Sequence, residues 1–230
     1  MIGMNPCGKY QAISQIKLQD RKWPSNSLEK APVWCSVDLR DGNQALENPM
    51  GIDVNLKFFE FLVKLGFKEI EIGFPASSDT EFLFCRRLIE ENHIPEDVTI
   101  QVLCQARDEL LKKTLKALEG ANKVIFHLYN STSPAQRKYT FNKSKEEIKA
   151  LAVEGVNCII SSLSENDKNR IRLEYSPESF SMTEIDFAVE ICEAVKTEWK
   201  KFSDDKVILN LPSTVECSTP NIYADQIEYF

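Results

Sequence analysis

The stretch WCSVDLRDGNQALENPM, Trp34 to Met50, decides how the rest of the chain is read. It opens with the apolar residues and cysteine of a buried strand and then runs directly into Arg40-Asp41-Gly42-Asn43-Gln44. A hydrophobic core has no use for an arginine, an aspartate and two amides at that point, because each costs free energy when buried unpaired. Asp-Gly is also a common turn pair. Asp41 by itself is therefore either a turn residue or a functional carboxylate, and the other strand ends must weigh between the two.

Working outward, the first strand is expected at Val33–Leu39, followed by Phe67–Gly73, Val98–Cys104, Lys123–Tyr129, Ile171–Tyr175 and Val207–Leu211. Helix-like stretches separate them. Phe58, Phe61, Leu62 and Leu65 recur at i, i+3, i+4, i+7, with Gly66 placed to stop that helix. Ile185, Ala188, Val189, Cys192 and Val195 make a second apolar face, and Ser181 with Glu184 predicts a capping box at its start. Repeated strand-helix units imply a parallel sheet, either open and doubly wound or closed into a (β/α)8 barrel. No GxGxxG or GKS/GKT loop follows a strand, which removes the best support for the dinucleotide and P-loop versions. The expected fold is α/β, of the (β/α)8 TIM-barrel type with about its first six units: a polar leader over 1–32, then a partial barrel over 33–230.

A parallel barrel carries its chemistry at the C-terminal strand ends, and all six ends here are polar. They bear Arg40-Asp41, Glu71 in EIEIGFPASS, Gln105 in LCQAR and His127 in HLYNSTS. The last two bear Glu174, Ser176 and Glu178 in EYSPES, and Asn210, Thr214 and Glu216 in NLPSTVE. Each has a plain structural reading. Glu71 fits as an arginine partner, His127 as a hydrogen-bonded core histidine, and Ser176-Pro177-Glu178 as the entry to a helix. Coincidence at every end is the weaker account, so a convergent rim is expected.

Composition narrows the ligand. At 230 residues and 43% hydrophobic content the chain can bury one large core. A net charge of -7 and a pI near 5.1 argue against nucleic acid, whose phosphates need a concentrated basic face. No apolar run approaches the ~20 residues of a membrane helix. Seven scattered cysteines, an odd number with no CxxC pair, point to a reducing compartment. The first 19 residues have no acidic residue, yet with two lysines and no arginine they make a poor transit peptide. The expected location is the cytoplasm, with mitochondria as the alternative, and the expected partner is a small molecule.

The segments DLRDGNQAL..PM, GFKEIEIGFPASS, HLYNSTS, EYSPESF, FAVEICEAVK and NLPSTVE.STPN.YADQIEYF resemble, in that order, the 2-isopropylmalate synthase family. The resemblance covers about residues 20–230, the N-terminal part of that family's catalytic barrel, and is close to the branch that includes the fungal enzymes. It implies an acyltransferase that condenses acetyl-CoA with 2-oxoisovalerate to 2-isopropylmalate and CoA, the first committed step of leucine biosynthesis. It implies Arg40, Glu71 and Glu178 as catalytic residues. Arg40 would stabilise a negative oxygen, Glu71 would orient Arg40, and Glu178 would lie near the substrate side chain. Leu103, His127, Ser176, Asn210 and Thr214 would bind the substrate, the last two at its carboxylate. Asp41 would be a ligand to a divalent metal, Mg2+ or Mn2+ by its oxygen, Zn2+ where histidines join. A homodimer is implied for the full-length form.

At one point the chain departs from that family. The family's other two metal ligands are histidines of an HxHND segment on the next strand, expected beyond residue 230, and the histidines present are His93 and His127. Three readings follow. The first is a fragment of a 2-isopropylmalate synthase. The second is a fragment of a homocitrate- or citramalate-type synthase, where a second substrate carboxylate would call for an added basic group. The third is a catalytically silent, truncated partner protein. Six strands also predict an open barrel with two unpaired edges and an uncovered apolar interior.

Overall fold

A computed structural model describes residues 16–230. Cys7, the start of the 1–32 leader and most of the segment weighed as a transit peptide lie outside the described residues. Six strands alternate with six helices: β1 (Cys35–Ser36), α1 (Ile52–Leu65), β2 (Glu69–Gly73), α2 (Asp79–Glu90), β3 (Thr99–Gln105) and α3 (Asp108–Ala117). They continue with β4 (Val124–Ser131), α4 (Lys145–Ser162), β5 (Ile171–Glu178), α5 (Ile185–Trp199), β6 (Ile208–Leu209) and α6 (Pro220–Tyr229). The strands form one sheet in the order β1-β2-β3-β4-β5-β6, every pair parallel.

Alternation along the strands sorts the residues into two layers. Ile70, Ile72, Ile100, Val102, Phe126 and Leu173 join Leu56, Phe59, Phe84, Ile148 and Ile191 of the helices in one continuous cluster. Each fully buried side chain of that size contributes roughly 1.5–3 kcal/mol, so the strand-helix layer holds the fold. The alternate residues meet on the concave face, across strands that are not neighbours. Arg172 of β5 reaches Glu69 of β2 at 2.6 Å, and His127 of β4 reaches Glu71 of β2 at 2.7 Å. These contacts curl the sheet, and they correct the expectation of an apolar interior. In EIEIG and its counterparts the apolar residues face the helices and the polar ones face inward.

Three local expectations are also corrected. The first strand is cut to Cys35–Ser36: Val33 and Trp34 ahead of it are exposed, and past it Ser36 Oγ donates to Asp38 Oδ2 at 2.6 Å. Such a local bond competes with the strand ladder. The backbone then winds into a wide helical turn, Asp38–Gly42, with Asp41 N–H and Gly42 N–H both donating to Val37 O (2.8 and 3.3 Å). In α1 the buried stripe is Leu56, Phe59 and Leu62, while Phe61 and Leu65 are 50% and 59% exposed. Two neighbouring stripes of that helix are apolar, and spacing alone does not choose between them. Gly66 does end α1, in the left-handed region at φ +99°. Finally, α5 starts without a capping box. Ser181 Oγ donates instead to Val215 O (2.8 Å), and the Glu184 carboxylate is taken by Arg137 (2.7 and 2.8 Å).

Candidate active site

Glu71 is the deepest charged group of the concave face, with no exposed surface. A buried carboxylate is costly unless paired and hydrogen-bonded, and here both oxygens are used. Oε2 accepts from Arg40 Nε and Nη2 (2.8 and 2.7 Å), and Oε1 faces His127 Nδ1 (2.7 Å). Burial by itself pushes the Glu71 carboxyl up, but His127 and then Arg40 outweigh it and hold it below the usual carboxylate range. The turn after β1 thus delivers a guanidinium that β2 anchors from beneath. Arg40 also hydrogen-bonds the Asp41 carboxylate through Nη1.

The network continues across the sheet. His127 Nε2 meets Ser176 Oγ at 2.7 Å, and Asn210 Nδ2 donates to the same oxygen at 2.7 Å. Arg40, Glu71, His127, Ser176 and Asn210 are therefore linked through β2, β4, β5 and the end of β6. Glu174 lies 3.4 Å from His127 Nε2, its carboxyl pushed up by burial against the pull of His127. Thr214 Oγ1 accepts from Ser179 N–H (3.2 Å), and Glu178 accepts from the Ser131 hydroxyl.

These groups floor and wall a cleft of about 650 Å3. Arg40, Asp41, Leu103, His127, Ser176, Glu178, Asn210 and Thr214 all line it, and Glu71 lies below the floor. Gln105 and Glu216 do not line it. Ser176, Pro177 and Glu178 belong to β5, so the helix-entry reading of those residues falls away.

Residues 31–230 match the HMGL-like family model. The chain belongs to the HMGL-like family. It is 56% identical over 224 residues to the 2-isopropylmalate synthase of Clostridium acetobutylicum, covering 96% of this chain and 40% of that protein. To the 2-isopropylmalate synthase of Acetoanaerobium sticklandii it is 60% identical over 221 residues, covering 96% and 39%. The chain thus spans about two fifths of the length of the curated relatives it matches. Among solved structures it is similar to the HMG-CoA lyase of Bacillus subtilis, with a TM-score of 0.61, 17% identity, and 86% of this chain and 63% of that one covered. The HMG-CoA lyase of Brucella melitensis gives 0.58, 17%, 84% and 65%. At that identity the likeness speaks for the fold alone, the N-terminal part of a TIM-type barrel.

Six further residues line this HMGL-like cleft to which the sequence reading gave no role: Val37, Gln44, Phe74, Tyr129, Pro212 and Ser213. Tyr129 follows His127 by two positions on β4, so strand alternation alone puts it on the same face. Burial pushes its phenol up, and the Glu178 charge adds to this, so it remains a neutral proton donor.

Among the described residues no group of three or more His, Cys, Asp or Glu is placed to hold a metal ion. Asp41 offers the cleft one carboxylate, 56% exposed, with one oxygen engaged by Arg40. A hard divalent cation takes about six oxygen ligands. These residues fit as one corner of such a site, not as the site.

Proposed function

We propose that the chain is the N-terminal part of the catalytic barrel of a 2-isopropylmalate synthase, which joins acetyl-CoA to 2-oxoisovalerate and releases 2-isopropylmalate and CoA. The observation that carries this reading is the charge pattern of the cleft. Among the described residues Arg40 is the one lysine or arginine lining it, set beside the Asp41 and Glu178 carboxylates, hydroxyl and amide groups and the apolar wall of Leu103. That pattern suits a 2-oxo acid with one carboxylate and a branched aliphatic chain.

In this reaction a base takes a proton from the acetyl methyl, the carbanion adds to the keto carbon and negative charge collects on the keto oxygen, which then takes up a proton; water finally hydrolyses the thioester and frees CoA. A preorganised cation stabilises that charge far more than a mobile one, because no reorganisation is needed at the moment of reaction. Arg40, fixed by Glu71, takes this role. Thr214 and Asn210 hold the substrate carboxylate. Thr214 Oγ1 already accepts from Ser179 N–H, which leaves its own proton to donate. Ser176, His127 and Leu103 surround the side chain, with Glu178 beside it. Asp41 supplies one oxygen ligand to a divalent cation of the Mg2+ or Mn2+ class, its partners coming from the part of the relatives that this chain does not span. When bound, such an ion adds Lewis acidity at the keto group. The complete protein is read as a cytoplasmic homodimer; no described helix is long and apolar enough to cross a membrane.

Among the described residues lining the cleft, the second carboxylate of a homocitrate-type substrate would meet no further lysine or arginine, and Arg40 already faces Asp41 and Glu71. The discriminating test is CoA release by the natural-length protein with 2-oxoisovalerate, pyruvate and 2-oxoglutarate. The reading expects the highest kcat/KM for 2-oxoisovalerate. A preference for 2-oxoglutarate would move the chain to the other branch.

A further inference from the structure

We infer that the segment ahead of the barrel is a strap that positions one wall of the cleft, with Asp225 and Tyr223 as positioning residues for Asn210 and Thr214. This rests on the proposed reading of the cleft. Arg21 donates from Nε and Nη2 to the two carboxylate oxygens of Asp225 (2.6 and 2.7 Å), and Trp23 Nε1 donates to Oδ1 (2.9 Å). The backbone N–H groups of Lys22 and Trp23 both donate to the Glu228 carboxylate (2.8 and 2.7 Å). Arg21 and Asp225 are 204 positions apart in sequence, and Asp225 is only 4% exposed. Arg21 is 45% exposed, but the carboxylate it meets is buried and takes three charged or indole N–H bonds, which makes a stronger tie than a pair solvated on both sides.

The clamp fixes α6, and α6 reaches the cleft. Tyr223 Oη donates to Leu211 O, the carbonyl between the cleft residues Asn210 and Pro212. From the other side Ser179 N–H holds Thr214, and Ser181 Oγ holds Val215 O. The strand beneath this wall is only Ile208–Leu209, paired to β5 on one side. The strand itself orders only two residues, and these tethers add to what it sets for residues 210–215. Strap, α6 and wall are thus one mechanical path ending on the groups assigned to the substrate carboxylate.

The test uses the natural-length protein and the variants Asp225→Asn and Tyr223→Phe. Each is expected to raise KM for 2-oxoisovalerate by about 5–10-fold, with kcat and the KM for acetyl-CoA within about twofold. The double variant should be no worse than the poorer single one, because both act through one path. Arg21→Lys should retain part of the effect of Arg21. Unchanged KM values, or a uniform fall of all parameters in step with Tm, would overturn the strap. If the wild-type protein turns over neither substrate, the proposed reaction fails separately. Hydrogen exchange then reads the strap directly: Asp225→Asn should speed exchange of the amides over 209–215, and unchanged exchange there would sink it.

Discussion

Arg40 and Glu71 are joined twice through a single oxygen, Nε at 2.8 Å and Nη2 at 2.7 Å from Oε2, with the carboxylate wholly buried. Losing the Glu71 charge leaves the Arg40 guanidinium with only the half-exposed Asp41 carboxylate as its ionic partner. Glu71→Gln is therefore expected to destabilise the fold by about 2–4 kcal/mol in denaturant unfolding and to cost turnover through a misplaced Arg40. A variant of wild-type stability would remove Glu71 as the anchor.

Arg40→Ala tests the other end of the pair. If the guanidinium serves charge that develops only in the transition state, kcat should fall by about 100–1000-fold, with substrate KM much less affected. Near-normal turnover, measured as CoA release, would take Arg40 out of the mechanism.

Acid should weaken the clamp between Arg137 and Glu184. Arg137 is buried and meets both Glu184 oxygens, and these bonds, the largest cause, hold the Glu184 carboxyl at about 2. The folded value lies below the unfolded one. The stabilisation is therefore complete above the ordinary glutamate range and is lost as pH falls from there toward about 2. Because Glu184 is partly exposed, its worth is discounted to about 1 kcal/mol. Urea melts of wild type and Glu184→Gln should differ by that amount at pH 7 and converge in acid; a gap that persists at low pH would contradict the assignment.

Gly73 at the end of β2 holds a backbone conformation that strains any side chain. Its φ is +151°, and an added Cβ would come within 1.9 Å of Glu81 Oε2. Gly73→Ala should destabilise by about 1–3 kcal/mol and displace Phe74 from the cleft wall. Adding Glu81→Ala should remove the clash but not the backbone strain, so rescue should be partial. Full rescue by Glu81→Ala would show that the backbone tolerates the change.

The layers of this fold were legible in the sequence because strand alternation is local. Alternation in EIEIG separates two faces by itself but does not say which is concave, so an apolar interior was expected where Glu69 and Glu71 lie. What could not be read depends on partners distant in sequence. Glu184 looked like part of a helix cap until Arg137, 47 positions away, claimed its carboxylate. The stripe that α1 buries is chosen by the sheet, and β1 stops at Ser36, where one Ser36–Asp38 bond takes over. Within the cleft, Arg40 and Asp41 stood out because charged residues at a strand exit are unusual, whereas Tyr129 passed for an ordinary strand aromatic. The strap was hidden altogether, since Arg21 and Asp225 lie near opposite ends of the chain.

The central claim is tested most directly by identifying the product. The polypeptide as its own cell makes it, given Mg2+ or Mn2+, is incubated with acetyl-CoA carrying a 13C acetyl group and with 2-oxoisovalerate. The account predicts labelled 2-isopropylmalate with one CoA released per product, and loss of both in Asp41→Ala. Absence of the labelled product from the wild-type protein, or its undiminished formation by Asp41→Ala, would contradict it.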